Sequence, residues 1–175
     1  GLVRLRFLHC SDNQLTTLEP LAGLTALQSL NCSGNRLTTL EPLAGSASLQ
    51  LLFCCENQLA TLKPLAGLAA LESLYCWDNR LTALDGLERL HSLQSLDCSL
   101  NRITTLEPLA GLTTLRSLDL WGNPVRELPE KLIRLESLNE LIIPGTALDG
   151  VPAEALSRDS SDDCLERLRA WLRQR

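Results

Sequence analysis

The sequence predicts an α/β solenoid of seven stacked coils: one parallel sheet on the inner, concave side, short 3-10 or helical segments on the convex side, and a capping helix at the C-terminal end. Three observations carry this reading. An asparagine recurs every 22 residues, at Asn13, Asn35, Asn57, Asn79, Asn101 and Asn123. Leucines stand in a fixed frame around each one, as in Leu27, Leu30, Leu37 and Leu40. Apolar residues make up 45% of the chain but aromatic residues only 3%, so leucine must fill the interior nearly alone. Such self-similarity marks an architecture in which no unit buries its own apolar face, and neighbouring units stack to form one core.

The first coil carries Leu5, Leu8, Cys10, Asn13, Leu15 and Leu18. The same frame returns at Leu49, Leu52 and Cys54, at Leu71, Leu74 and Cys76, at Leu93, Leu96 and Cys98, and at Leu115, Leu118 and Leu120. A seventh copy, with Leu138, Leu141, Ile143 and Leu148, has Thr146 where the asparagine would stand. Terminal repeats are commonly degenerate in this way. The short strands should pair in parallel at roughly 4.8 Å, seven of them spanning roughly 30 Å. The links read LEPLAGL at 18–24, with close copies at 40–45 and 106–112. Pro20, Pro42, Pro64 and Pro108 fix φ and remove an N–H, which predicts tight 3-10 coils rather than long helices. The sixth link, 127–138, is longer and more helix-prone.

The repeat ends near residue 151, dividing the chain into an array over 1–151 and a C-terminal capping segment over 152–175. Ser160 or Ser161 followed by Asp162 and Asp163 is a helix N-cap signal. Cys164, Leu165, Leu168, Trp171 and Leu172 then share one helical face, which would cover the open end of the leucine core. Arg167, Arg169, Arg173 and Arg175 would form the solvated side of that helix. At the other end Leu2 is in register with Leu24, Leu68 and Leu112, so the chain starts inside the repeat phase, as expected of an excerpt from a longer protein.

Composition narrows the function classes. The net charge is −5, and 14 of the 16 basic residues are arginine, which gives no general phosphate-binding footprint. Nucleic acid is therefore not an expected partner, and no apolar run reaches the roughly 20 residues of a membrane span. No GxxxxGK[ST] loop occurs, and His9 and His91 lie in different rows, neither expected to meet a Cys or Ser with a third orienting group. No catalytic residue, metal or cofactor is expected, and the chain reads as not an enzyme.

Seven cysteines is an odd number, and Cys10, Cys32, Cys54, Cys76 and Cys98 recur at the repeat period. They read as small buried hydrophobes rather than disulfides, which implies a reducing, cytoplasmic setting. A line of thiols does not offer zinc a tetrahedron. Cys55 falls on the concave surface beside Phe53 and Trp77, as a passive contact. The asparagine ladder reads as structural, its amides bonding turn backbone.

Alternation along each strand exposes three rows on the concave face. The first is Phe7, Ser29, Leu51, Ser73, Ser95, Ser117 and Glu140, the second His9, Asn31, Phe53, Tyr75, Asp97, Asp119 and Ile142, and the third Ser11, Ser33, Cys55, Trp77, Ser99, Trp121 and Pro144. Five of the six aromatic residues, Phe7, Phe53, Tyr75, Trp77 and Trp121, fall in these rows. Exposed aromatics are typical interface anchors, although they can also shield strand backbone. Glu56, Asp78, Asp97 and Asp119 lie beside them, with Asp12 further off. Trp77 and Trp121 stand two strands apart, roughly 10 Å, with Ser99 between them. The expectation is a slot for a partner's Arg or Lys, held by cation–π contact and by Asp97 and Asp119; the bland alternative is a pair of solvated carboxylates. The expected partner-binding residues are Phe53, Tyr75, Trp77, Asp97, Asp119 and Trp121.

The frame LxxLxLxxNxL, with Cys in its third leucine place, resembles the 22-residue class of the leucine-rich-repeat family, which includes the bacterial internalins with similar PLxxLxxL segments. The tail VPAEALSRDSSDDCLERLRAWLRQR is similar to the end of the repeat domain in bacterial Roco proteins, where a GTPase domain follows. The resemblance implies a sensor or docking arm, and the exposed aromatics with their nearby acids make the leading expectation a protein-binding module that takes a basic or amphipathic protein segment on its concave face. Two alternatives stand beside it: a regulatory arm of a Roco-type GTPase contacting its own catalytic domain, and a secreted bacterial effector or adhesin, which would need an export signal and function under oxidising conditions.

Overall fold

A computed structural model describes residues 2–143 and 148–174. Seven three-residue strands form one sheet: β1 (Phe7–His9), β2 (Ser29–Asn31), β3 (Leu51–Phe53), β4 (Ser73–Tyr75), β5 (Ser95–Asp97), β6 (Ser117–Asp119) and β7 (Glu140–Ile142). Each pairs in parallel with its sequence neighbour, so spatial order equals chain order. The register follows the repeat: Phe7, Ser29, Leu51, Ser73, Ser95, Ser117 and Glu140 stand side by side. The central leucine of each inner strand, such as Leu52, Leu74 and Leu96, is buried, while its two neighbours stay partly open on the other face. Alternation thus separates the core from the recognition rows.

On the opposite side the proline-bearing links form 3-10 turns at Glu19–Leu21, Glu41–Leu43, Lys63–Leu65 and Glu107–Leu109. In the first three the hydroxyl of Thr17, Thr39 or Thr61 accepts the N–H of the residue before the proline. The longer sixth link yields only one helical turn, α1 (Glu130–Ile133).

The asparagine ladder is structural in detail. Asn79 Nδ2 donates to Cys76 O (3.1 Å) and Trp77 O (3.3 Å) in its own coil and to Cys54 O (3.0 Å) in the preceding one. Its Oδ1 accepts the N–H of Leu59 at 2.9 Å. Asn35, Asn57 and Asn101 repeat the set, and Asn123 keeps most of it. Asn13 is exposed and bonds only Cys10 O and Ser11 O, because no described coil precedes it. Near it Leu2 is 67% exposed, whereas its equivalents Leu24, Leu68 and Leu112 are buried. The position of Thr146 in the seventh copy, like Pro144 in the third row, lies outside the described residues.

The thiol ladder is buried below Cys10, and all seven cysteines are free. Cys32, Cys54 and Cys98 donate their S–H to carbonyls of the next coil, Phe53 O, Tyr75 O and Asp119 O. Burial pushes the Cys32 thiol up to about 12 and those of Cys54, Cys76 and Cys98 well above the usual thiol value.

The C-terminal segment corrects two expectations. The helix α2 (Leu165–Leu172) begins after Cys164, which makes no side-chain cap, so neither Ser160 nor Ser161 is its N-cap, although Asp163 Oδ1 accepts the N–H of Leu165 at 3.0 Å. They build a loop instead. Asp162 pairs with Arg167 at 2.7 Å, and Asp163 Oδ1 accepts the N–H of Leu141 in β7 at 2.9 Å. Cys164 N–H donates to Leu141 O, and the N–H of Ile143 donates to Ser157 Oγ, so this loop occupies the hydrogen-bonding edge of β7. Nor are Arg167 and Arg169 merely solvated. Arg169 donates to Ile133 O, Leu135 O and Leu138 O, and Arg167 to Leu156 O, because carbonyls left over at the end of α1 and in the turns need donors. Arg173 is exposed, and Arg175 lies outside the described residues. Leu165 and Leu168 are buried, with Trp171 and Leu172 partly buried against the core.

Candidate functional site: the concave cleft between two tryptophans

The strand register sets Phe53, Tyr75, Asp97 and Asp119 side by side on the open face of the sheet. All four, with Trp77 and Trp121, are half-buried and outside the leucine core. Phe53 and Tyr75 stack with ring centroids 4.6 Å apart and planes 8° from parallel, a ledge beside the acidic pair. Trp77 and Trp121 follow two residues after Tyr75 and Asp119, where the chain leaves the sheet.

Between the tryptophans lies an open cleft of about 410 Å³, lined by Trp77, Asp97, Ser99, Leu100, Asp119, Trp121 and Ser160. The small Ser99 leaves its middle vacant. Four of the six expected residues therefore meet around one hollow, while Phe53 and Tyr75 stand outside it. Glu56 and Asp78 do not line it either, since they occupy the next column, where the chain turns away. Two lining residues escaped the sequence reading. Ser160 arrives from the C-terminal loop, a contact no local pattern announces. Leu100 was signalled: it shares a 22-residue column with Gly34 and Gly122, and glycines at such spacing mark backbone with positive φ.

The carboxylates are held locally. Asp97 Oδ1 accepts the N–H (3.0 Å) and the Oγ–H (2.7 Å) of Ser99, and Asp119 Oδ1 accepts the N–H of Trp121 at 2.8 Å. Among the described residues no cation neutralises either one. Burial, then the nearby charges of Asp97 and Glu140, push the Asp119 carboxyl up to about 6 against the opposing Trp121 amide bond. Glu140 itself accepts the hydroxyl proton of Ser117 at 2.6 Å. A half-buried acid pair between two aromatic walls suits a positive group from outside.

Other features compete less well. A second hollow of about 410 Å³ lies between α1 and α2, lined by Leu128, Ile133, Leu148, Trp171 and Leu172 among others. Size alone does not separate the two, but this one has a single aromatic wall, and its Arg134 is already paired with Glu130. Cys55 corrects its expected place: although in the exposed row it is only 2% exposed, and burial raises its thiol to about 11. Its N–H donates to Ser33 Oγ, and it is buried without joining the leucine core, so it offers no contact. His9 also departs from expectation, because its Nε2 lies 2.6 Å from Ser11 Oγ. On its other side Ser11 Oγ lies 3.0 Å from Asp12 Oδ2, so the carboxylate stands against the serine and not against the imidazole, unlike the order of a nucleophile relay. Among the described residues no helix is long and apolar enough to cross a membrane.

The stacked coils, single parallel sheet and asparagine ladder define the class of leucine-rich-repeat solenoids. The family model described as Leucine Rich repeats (2 copies) matches residues 3–45, 47–89, 69–111 and 91–143, and the chain belongs to that family. An internalin, inlF, of Listeria monocytogenes is 31% identical with a TM-score of 0.78, over 81% of this chain and 42% of its own. A leucine-rich-repeat protein of Leptospira interrogans is 29% identical with a TM-score of 0.77, over 81% of this chain and 38% of its own. A plant peptide hormone receptor, RGFR1, solved in complex with RGF2, is 25% identical with a TM-score of 0.71, over 79% of this chain and 24% of its own. This chain thus spans under half the length of each of these three. No curated protein sequence matches it.

Proposed function

We propose that this chain is a non-enzymatic protein-binding module whose concave face takes a basic or amphipathic protein segment, seating one cationic side chain between Trp77 and Trp121. The observation that carries the reading is the cleft itself, where two tryptophans and two half-buried carboxylates surround a space floored by Ser99. The flanking Phe53–Tyr75 stack supplies apolar contact for the neighbouring residues of the segment. The similarity to a receptor solved with its peptide hormone supports a protein partner. The buried free thiols support a cytoplasmic setting.

The test is an array of peptides identical except for a central lysine, arginine, glutamate or alanine, scored for binding to the wild-type chain and to variants. Lysine or arginine should be required, and Trp77→Ala with Trp121→Ala, or Asp119→Ala, should abolish binding without loss of the fold. Equal binding of the glutamate peptides, or unchanged binding by the double variant, would sink the idea.

A second reading, docking of the C-terminal end onto a following domain of the Roco type, is favoured by the hollow between α1 and α2, with Leu172 half-buried in its wall. It predicts that Leu172→Glu disrupts contact with that domain while the peptide array is unaffected.

A further inference from the structure

Leu100 has no structural reason to be leucine. It belongs to the column Asp12, Gly34, Glu56, Asp78, Leu100 and Gly122, in which every residue has a positive φ, between 50° and 72°. The left-handed region disfavours side chains, and glycine and short acids such as aspartate tolerate it best. Leucine is the only apolar side chain in the column. It is 50% exposed, so the core does not hold it there either. Its N–H donates to Trp121 O at 2.6 Å, which fixes the residue to the tryptophan of the next coil. The absence of a side chain at Gly122 gives it room, since a Cβ there would stand 2.8 Å from Leu100 Cδ2. A strained backbone carrying an exposed apolar side chain into a cleft points to a ligand contact.

We propose that Leu100 is a specificity-determining residue of the Trp77–Trp121 cleft, supplying the aliphatic wall along which the alkyl stem of a lysine lies while its ammonium reaches Asp97 and Asp119. The inference rests on the cationic reading of the cleft and adds to it the length and type of the side chain. Lysine fits better than arginine because Oδ1 of each carboxylate is already taken, by Ser99 and by Trp121. Among the described residues Oδ2 of each carries no hydrogen bond and is the freest acceptor for the ligand. An ammonium can bridge two single oxygens, whereas the guanidinium fork is matched to both oxygens of one carboxylate.

The experiment titrates the intact chain with methylammonium, propylammonium and pentylammonium, reading the indole N–H resonances of Trp77 and Trp121, with Trp171 as an internal reference. If Leu100 lines the stem, affinity should rise about twofold per methylene, half of the roughly fourfold expected for full burial. Leu100→Asn, which tolerates positive φ, and Leu100→Gly should flatten that rise, so that pentylammonium loses far more affinity than methylammonium does, and should melt no lower than the parent. A slope equally steep in both variants would overturn the role of Leu100 while leaving the cationic cleft intact. Tighter binding of propylguanidinium than of pentylammonium would overturn the lysine assignment. If no amine moves either tryptophan, the cationic reading fails and this inference falls with it.

Discussion

Asp163 Oδ1 accepts the backbone N–H of Leu141 at 2.9 Å, so a carboxylate from the C-terminal segment does for the last strand what a next strand would do. The same oxygen accepts the N–H of Leu165 at 3.0 Å, tying the edge of the sheet to the start of α2. Asp163→Ala should therefore destabilise the chain by about 1–3 kcal/mol, the cost of orphaning a buried donor. Asp163→Asn keeps an acceptor oxygen and should recover most of that loss. Urea denaturation of both variants checks it, and an alanine variant as stable as the parent would remove the role.

Asn79 and Asn13 occupy equivalent positions in different surroundings. Asn79→Ala removes four hydrogen bonds to backbone in two coils, so the loss should reach about 3 kcal/mol or more. Asn13 is exposed and makes two bonds within its own coil, and Asn13→Ala should stay under about 1 kcal/mol. Equal effects in denaturant titrations would contradict the stacked-column account.

Asp119 gives stability a definite pH dependence. Its folded-state value of about 6 lies above the ordinary carboxylate value of 3.8, so the folded chain holds this proton more tightly than the unfolded one. Its contribution is fully present below the ordinary value and is lost as pH rises through 6. Asp119→Asn should accordingly raise the melting temperature relative to the parent more at pH 8 than at pH 4. Binding of an alkylammonium, which needs the ionised acid, should weaken as pH falls from 7.5 to 5.

Thiol reactivity should divide the cysteines sharply. Cys10 is the only one not fully buried, and its thiol is raised by burial less than those beneath it. Native chain at pH 8 should react with a disulfide reagent at no more than one thiol promptly, and at all seven after denaturation. Prompt reaction at Cys55 would contradict its burial.

The register was legible because the period is strict: counting from each asparagine places Phe53, Tyr75, Asp97 and Asp119 in one row, and the strands pair in that order. The four 3-10 turns were legible from their prolines. What stayed hidden depends on residues far apart in the chain. Cys55 is buried beside Ser33 of the coil before without joining the leucine core, so its row alone could not reveal its burial. Asp162 and Asp163 look like helix-capping acids, yet Asp162 serves Arg167, and Asp163 divides one oxygen between the first helical N–H and the edge of β7, a partner no local pattern announces. Ser160 reaches the cleft only because that loop folds back over the last coils.

Asp163, tied to Leu141, clamps the last strand of the sheet from outside the repeat. In a quasi-linear array each coil leans only on its neighbours, so loosening that starts at one coil passes to the next. Asp163→Ala should therefore let β7 and then β6 come apart like a zipper, read as faster amide exchange in that order. The tryptophan cleft, whose second wall follows β6, keeps its shape only while that clasp stays shut.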